Sequence, residues 1–151
     1  MNTEITTEAR NKCGNYFKEG YNCTESIFLA FREYLAPEID EDTVKLLTGF
    51  GSGVGYAGCM CGALSGSIVA LNMLKGRTSN QESREEAYKV AKEFHDRFEN
   101  KFGVTCCRAL NPYEHDTREQ LTHCLKITGN TGKLLMEFLI EKGLYEAPES
   151  V

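Results

Sequence analysis

The sequence predicts an all-α fold, a compact multi-helix bundle around a buried, uncharged central helix. Three observations predict it. No stretch sustains the apolar–polar alternation of a half-buried strand. Apolar residues recur instead at three- and four-residue spacing between helix-start and helix-stop residues. The run from Thr48 to Leu74 holds seven glycines and no Asp, Glu, Lys, Arg or His, and its second half is apolar enough to fill the middle of a bundle. At 151 residues the chain reads as one domain, 1–151, long enough to bury a real core.

The elements follow in order. Glu8 to Lys18 reads as a first helix, ended by Gly20. Asn22 can cap a second helix through Leu35, with Ile27, Phe28, Phe31 and Leu35 on one face and Pro37 beyond its end. Asp40 can cap a short third helix carrying Val44 and Leu47. A glycine-spaced loop follows, then the uncharged helix from Gly62 to Leu74, stopped by Gly76. Ser79 or Asn80 is the expected start of the longest helix, which runs to Phe102 with Ala87, Val90, Ala91, Phe94 and Phe98 on one face, and Gly103 ends it. Cys106 to Leu110 is a short turn stopped by Pro112. Asp116 is the expected cap of a helix over Glu119 to Ile127, and Thr131 of a last helix with Leu134, Leu135, Phe138 and Leu139 inward.

Composition excludes several classes. Seventeen basic against 22 acidic residues leave a net charge of −5, and no basic patch interleaves with aromatics, so nucleic acid is not an expected partner. The apolar stretch Ala63 to Leu74 is far shorter than the ~20 residues of a membrane span. The first residues, MNTEITTEARNK, show no apolar signal segment, and the expected compartment is the cytoplasm. A second copy of the chain is expected as a covering partner only if one copy leaves the uncharged helix exposed.

Seven cysteines, an odd number without a secretory signal, argue against a disulfide framework and for metal binding or redox chemistry. Cys59 and Cys61 sit where the glycine loop becomes the uncharged helix. There the helix N-terminus favours a thiolate, and Cys61 is the expected most acidic and most reactive thiol. Gly58 and Gly62 flank this pair and are the candidate glycines for close approach to a bound group. Cys23 follows Asn22 at a second helix start, Cys106-Cys107 is a vicinal pair, and Cys124 follows His123. Cys13 reads as a packing residue. The G-x-G-x-G spacing has no strand before it and no βαβ context, which removes the nucleotide-loop reading. No C-x-x-C pair occurs, so zinc-ribbon, thioredoxin and c-type haem marks are missing.

Cys23, then Cys61-Gly62-Ala63-Leu64-Ser65-Gly66, then Cys107-Arg108-Ala109-Leu110, then Cys124 form a four-cysteine pattern. It resembles the proteins grouped as redox-active under a C…GCAxxG…C…C signature with a C-G-A-x-x-G motif at its heart. The resemblance runs from about Asn11 to Leu139. It implies redox activity through Cys23, Cys61, Cys107 and Cys124, and an association with iron–sulfur or electron-transfer contexts.

Three functions compete. The first is a soft-metal or iron–sulfur protein with Cys23, Cys61, Cys107 and Cys124 as ligands, thiolates being soft donors. The second is a thiol–disulfide oxidoreductase or sensor, serving an unidentified redox partner, with Cys61 as the catalytic nucleophile. The third is a structural module whose cysteines only pack. The first two require the four cysteines to converge in space.

Overall fold

The computed structural model describes residues 2–148 and is helical throughout, as expected. The elements are α1 (Asn2–Lys18), α2 (Cys23–Leu35), two 3₁₀ turns (Glu41–Leu46 and Thr48–Phe50), a one-turn element α3 (Gly51–Val54), α4 (Gly62–Lys75), α5 (Glu85–Phe102), the short α6 (Cys107–Leu110) and α7 (Arg118–Glu141). Among the described residues, strand-like pairing is confined to one antiparallel bridge, Met60 with Cys106. No helix among them is long and apolar enough to cross a membrane.

Two helix pairs build the molecule. α4 lies along α2, and α7 lies along α1. The N-terminal half of α4, Gly62 to Ser67, is wholly buried, as is most of α2 from Cys23 to Phe31. The pairs approach closely because glycines face the contacts. A Cβ on Gly66 of α4 would stand 2.8 Å from the Thr24 carbonyl oxygen of α2. A Cβ on Gly132 of α7 would stand 2.6 Å from Cys13 Sγ of α1. α5 closes the other side of α4 with Phe94 and Phe98 fully buried, and Phe94 meets Phe138 of α7 edge to face at 5.4 Å. Each such ring contributes about 1.5–3 kcal/mol through burial. The bundle itself buries the first half of the uncharged helix, while Ile68, Val69, Met73 and Leu74 remain partly exposed.

Four boundaries differ from expectation, each for a local reason. α1 begins at Asn2 rather than Glu8, because Ile5 packs on the core beside buried Ala9. α5 begins at Glu85 rather than Ser79 or Asn80. The side chains of Ser79, Glu82 and Ser83 accept from nearby backbone N–H groups and hold turns there instead. Asp116 has φ +64°, outside the extended region of a cap, so Thr117 takes that role and accepts from Gln120 N–H. The two expected C-terminal helices are one, and it exceeds α5 in length at 24 residues against 18. Thr131 does not start a helix; its hydroxyl donates to Ile127 O at 2.7 Å within the continuous one. Gly129 and Gly132 do not break α7, because their missing side chains let α1 pack against it.

Candidate functional site

The site is built at the N-terminus of α2. Asn22 and Glu25 form a reciprocal capping box: Glu25 N–H donates to Asn22 Oδ1 at 2.9 Å, and Asn22 N–H donates to Glu25 Oε1 at 3.0 Å. The same two side chains reach across the chain. Asn22 Nδ2 donates to Thr48 O at 3.0 Å, and Thr48 Oγ1 donates to Glu25 Oε2 at 2.7 Å. This fastens the glycine-rich segment over Cys23, the first residue of α2.

That segment is not a loose loop. Ser52, Gly53, Val54, Gly55 and Tyr56 all have positive φ, between 54° and 71°. Together they form a left-handed turn closed by Gly55 N–H to Gly51 O at 2.9 Å. Glycine adopts this conformation freely, but Ser52, Val54 and Tyr56 each carry about 1–2 kcal/mol of strain. The turn brings the Ser52 backbone to Cys23, where it lowers the thiol. Sustained strain of this kind clusters at functional sites.

A second ribbon holds the other cysteines. Cys61 N–H donates to Thr105 O at 2.8 Å and Cys107 N–H to Cys59 O at 2.6 Å, on either side of the Met60–Cys106 bridge. Arg108 clamps the ribbon: its Nε donates to Gly58 O and its Nη2 to Ala57 O, both at 3.1 Å.

The four pattern cysteines come together, with Cys23 at their centre. Cys124 lies against Cys23: it is the neighbour that most lowers the Cys23 thiol, and it is itself raised most by Cys23. A Cβ on Gly62, the residue after Cys61, would collide with Cys23 Sγ and Thr24 Oγ1. Charge on Cys23 reaches and raises the thiols of Cys61, Cys107 and Cys124. Cys13 lies elsewhere, buried between α1 and α7 against Gly132. The thiols of Cys59 and Cys106 are exposed. Of the two glycines singled out from sequence, Gly62 is the floor on which the Cys23 sulfur rests. Gly58 (φ +72°) supplies a carbonyl to Arg108, and a Cβ there would meet that side chain at 3.1 Å.

The expected order of acidity is reversed. Cys61 stands at the N-cap of α4, and the nearby backbone of Ala63 and Leu64 lowers its thiol, as its position predicts. Its burial outweighs them, and with the charge of Cys23 nearby the thiol is pushed up to about 12. Cys23 is equally buried but better served. The Cys124 thiol, the Ser52 and Thr24 N–H groups and the Thr24 hydroxyl together lower it to about 7. Cys124, the donor to Cys23, is raised.

Sequence reasoning missed the residues that make this difference. Thr24 and Thr128 are fully buried, their hydroxyls lack a well-aligned partner, and they lie against the sulfurs of Cys23 and Cys124. Thr128 is four residues beyond Cys124, a spacing that puts both on one face of a helix. Ser52 carries no such signal, since its part depends on a left-handed backbone.

A cleft of about 720 Å³ reaches this pair. Cys23 and Cys124 both line it, the left-handed turn forms one wall through Ser52 and Gly55, and exposed Tyr21, Tyr56 and Leu121 stand at its rim. Neither Cys61 nor Cys107 lines it. Four thiols are suitable donors for a soft metal. Among the described residues, however, no three His, Cys, Asp or Glu side chains are grouped to hold one ion.

The chain matches a family described as "Putative redox-active protein (C_GCAxxG_C_C)" over residues 21–138. It is also 28% identical over 145 residues to an uncharacterized protein of Archaeoglobus fulgidus, covering 90% of this chain and 96% of that one. No solved structure matches it.

Proposed function

Because the chain belongs to this redox-active family, we propose that it is a thiol–disulfide redox protein in which Cys23 is the attacking thiolate and Cys124 its resolving partner. One observation carries the reading: Cys23 and Cys124, two thiols of the family pattern, line the same open cleft, and Cys124 is the neighbour that most lowers the Cys23 thiol. Cys61, the nucleophile expected from sequence, is replaced in that role by Cys23, and with Cys107 it encloses the centre.

The chemistry is thiol–disulfide exchange with a disulfide-bearing partner. The Cys23 thiolate attacks one sulfur of that disulfide, forming a mixed disulfide and expelling the other sulfur as a thiolate. Cys124 gives its proton to the departing thiolate and attacks Cys23 Sγ. The Cys23–Cys124 bond closes and the partner's second sulfur leaves. Two electrons pass to the partner, and its second thiolate takes a proton from solvent when the pH lies below its pKa. The donors around Cys23 serve both directions, since the sulfur that attacks as a stabilised thiolate also leaves as one. A reducing cytoplasm would return the pair to its dithiol state.

The test uses glutathione disulfide with the reduced, full-length protein. Cys124→Ser should accumulate glutathione on Cys23, whereas the wild type should pass to an internal Cys23–Cys124 disulfide. Glutathione spread evenly over the cysteines, or absent from Cys23, would overturn the reading.

Soft-metal or iron–sulfur ligation by Cys23, Cys61, Cys107 and Cys124 is the second reading. The proximity of all four thiols favours it. It requires the sulfurs to draw closer together than they stand. Anaerobic purification with an absorption spectrum and metal and sulfide analysis separates the two readings.

A further inference from the structure

The pair at the cleft leaves one feature without a chemical role, the ribbon of 57–61 against 105–108. Its hydrogen bonds place Met60 opposite Cys106 and Cys59 opposite Cys107. The extended backbone ends at Cys106; Cys107 opens α6, and its N–H donates to Cys59 O at 2.6 Å, which holds the two backbones in contact. A direct backbone hydrogen bond of this kind keeps two residues close enough for the roughly 4.4–6.8 Å Cα separation that a disulfide spans. Gly53 keeps the approach open: its Cβ would stand 2.7 Å from both Cys107 Cβ and Cys59 N. Exposure falls in steps along the path inward, from exposed Cys59 to half-buried Cys107 to buried Cys23. Cys107 is near enough to Cys23 for their charges to interact.

We propose that Cys59 and Cys107 form a second, reversible disulfide that relays electrons between the protein surface and the Cys23–Cys124 pair. This rests on the dithiol reading above. In the oxidised protein the Cys107 thiolate, its proton released to solvent, attacks Cys23 Sγ; a Cys23–Cys107 bond forms and Cys124 leaves as a thiolate, taking up a proton. The Cys59 thiolate, its proton likewise released to solvent, then attacks Cys107 Sγ, closing Cys59–Cys107 and releasing the Cys23 thiolate. No outside reactant is consumed, and the disulfide has moved from a buried pair to one at the surface. There an external protein dithiol reduces it by ordinary exchange. Cys23 is a good leaving group for this step, because leaving thiols of low pKa depart faster.

Disulfide mapping by mass spectrometry after graded diamide oxidation, with acid quenching, tests the pairing. Both Cys23–Cys124 and Cys59–Cys107 linkages should appear in the wild type. Reduction kinetics test the relay. With reduced thioredoxin as the protein dithiol, Cys59→Ser should slow loss of the Cys23–Cys124 bond about tenfold or more. Cys106→Ser, which leaves both Cys59 and Cys107 in place, should not. Dithiothreitol, small enough for the cleft, should still reduce the Cys59→Ser protein, showing that its buried pair is intact. A Cys23–Cys124 bond without any Cys59–Cys107 linkage, or a thioredoxin rate unchanged by Cys59→Ser, overturns the relay alone. Absence of the Cys23–Cys124 bond at every degree of oxidation overturns the dithiol reading and the relay with it.

Discussion

Cys23 and Cys61 are both buried cysteines at helix starts, yet burial decides one and hydrogen bonding the other. Two N–H groups from its own helix do not offset the desolvation of Cys61. Cys23 adds donors from two distant segments, Ser52 and Cys124, and these tip the balance. Alkylation across pH with peptide mapping should show Cys23 reacting with an apparent pKa of about 7 and Cys61 only at much higher pH. Cys124→Ala removes the leading donor and should move the Cys23 midpoint upward. A midpoint indifferent to that change would show that Cys124 does not stabilise the thiolate. Gly62→Ala is the complementary test, because its methyl group would occupy the place of the Cys23 sulfur and the Thr24 hydroxyl. It should lower unfolding free energy by about 1–3 kcal/mol in urea titration and slow Cys23 alkylation.

Among the elements, α7 shows how packing overrides local signals. Glycine costs up to about 1 kcal/mol in a helix interior, and Gly129 with Gly132 would ordinarily invite a break. Their value lies in the neighbouring helix: Gly132 stands over Cys13 Sγ and the Ala9 carbonyl of α1. Gly132→Ala should therefore destabilise the protein by about 1–3 kcal/mol through overpacking, despite its better helix propensity. Cys13→Ala makes room, so a double-mutant cycle should recover part of that loss. Additive effects would mean that the two side chains do not compete for one space. The left-handed turn makes the opposite point. Val54 at φ +71° is a β-branched residue in a conformation it resists, and its side chain is 47% exposed. Val54→Gly should raise the melting temperature, relief of about 1–2 kcal/mol of strain exceeding the ~0.5–1 kcal/mol entropic cost of glycine. A lower melting temperature would show that valine is held there by contacts worth more than its strain.

For the whole molecule, the perturbed thiols link stability to pH. Cys23 is lower in the folded state than the ordinary 9, so between about 7 and 9 the unfolded chain holds more protons there. Its contribution is fully present above 9 and is lost as pH falls through 7. Cys61 has the opposite sign. Its folded pKa is raised, so its contribution is present below 9 and is lost as pH rises from 9 toward 12. Urea titrations of wild type and Cys23→Ala should diverge as pH is raised from 7 to 9, with the wild type gaining relative to the variant. Parallel curves over that range would mean that Cys23 ionises alike in both states.

The fold was legible in the sequence because its signals are local. Asn22 three residues before Glu25, Gly20 and Gly103 at helix ends, and the 3.6-residue recurrence of Phe94 and Phe98 all act within one or two turns of backbone. The cysteine order was equally legible, and with the C-G-A-x-x-G motif it pointed to the redox family before any coordinates. What the sequence could not assign was the role of each thiol. A thiol's acidity depends on how many donors reach it against how much water it loses, and the deciding donors to Cys23 lie 29 and 101 residues away, at Ser52 and Cys124. Only the left-handed turn, the crossing of α2 over Gly62 and Gly66, and the unbroken run of α7 bring them to one sulfur. The same distance in sequence concealed the approach of Cys59 to Cys107, residues 48 positions apart joined by a backbone hydrogen bond.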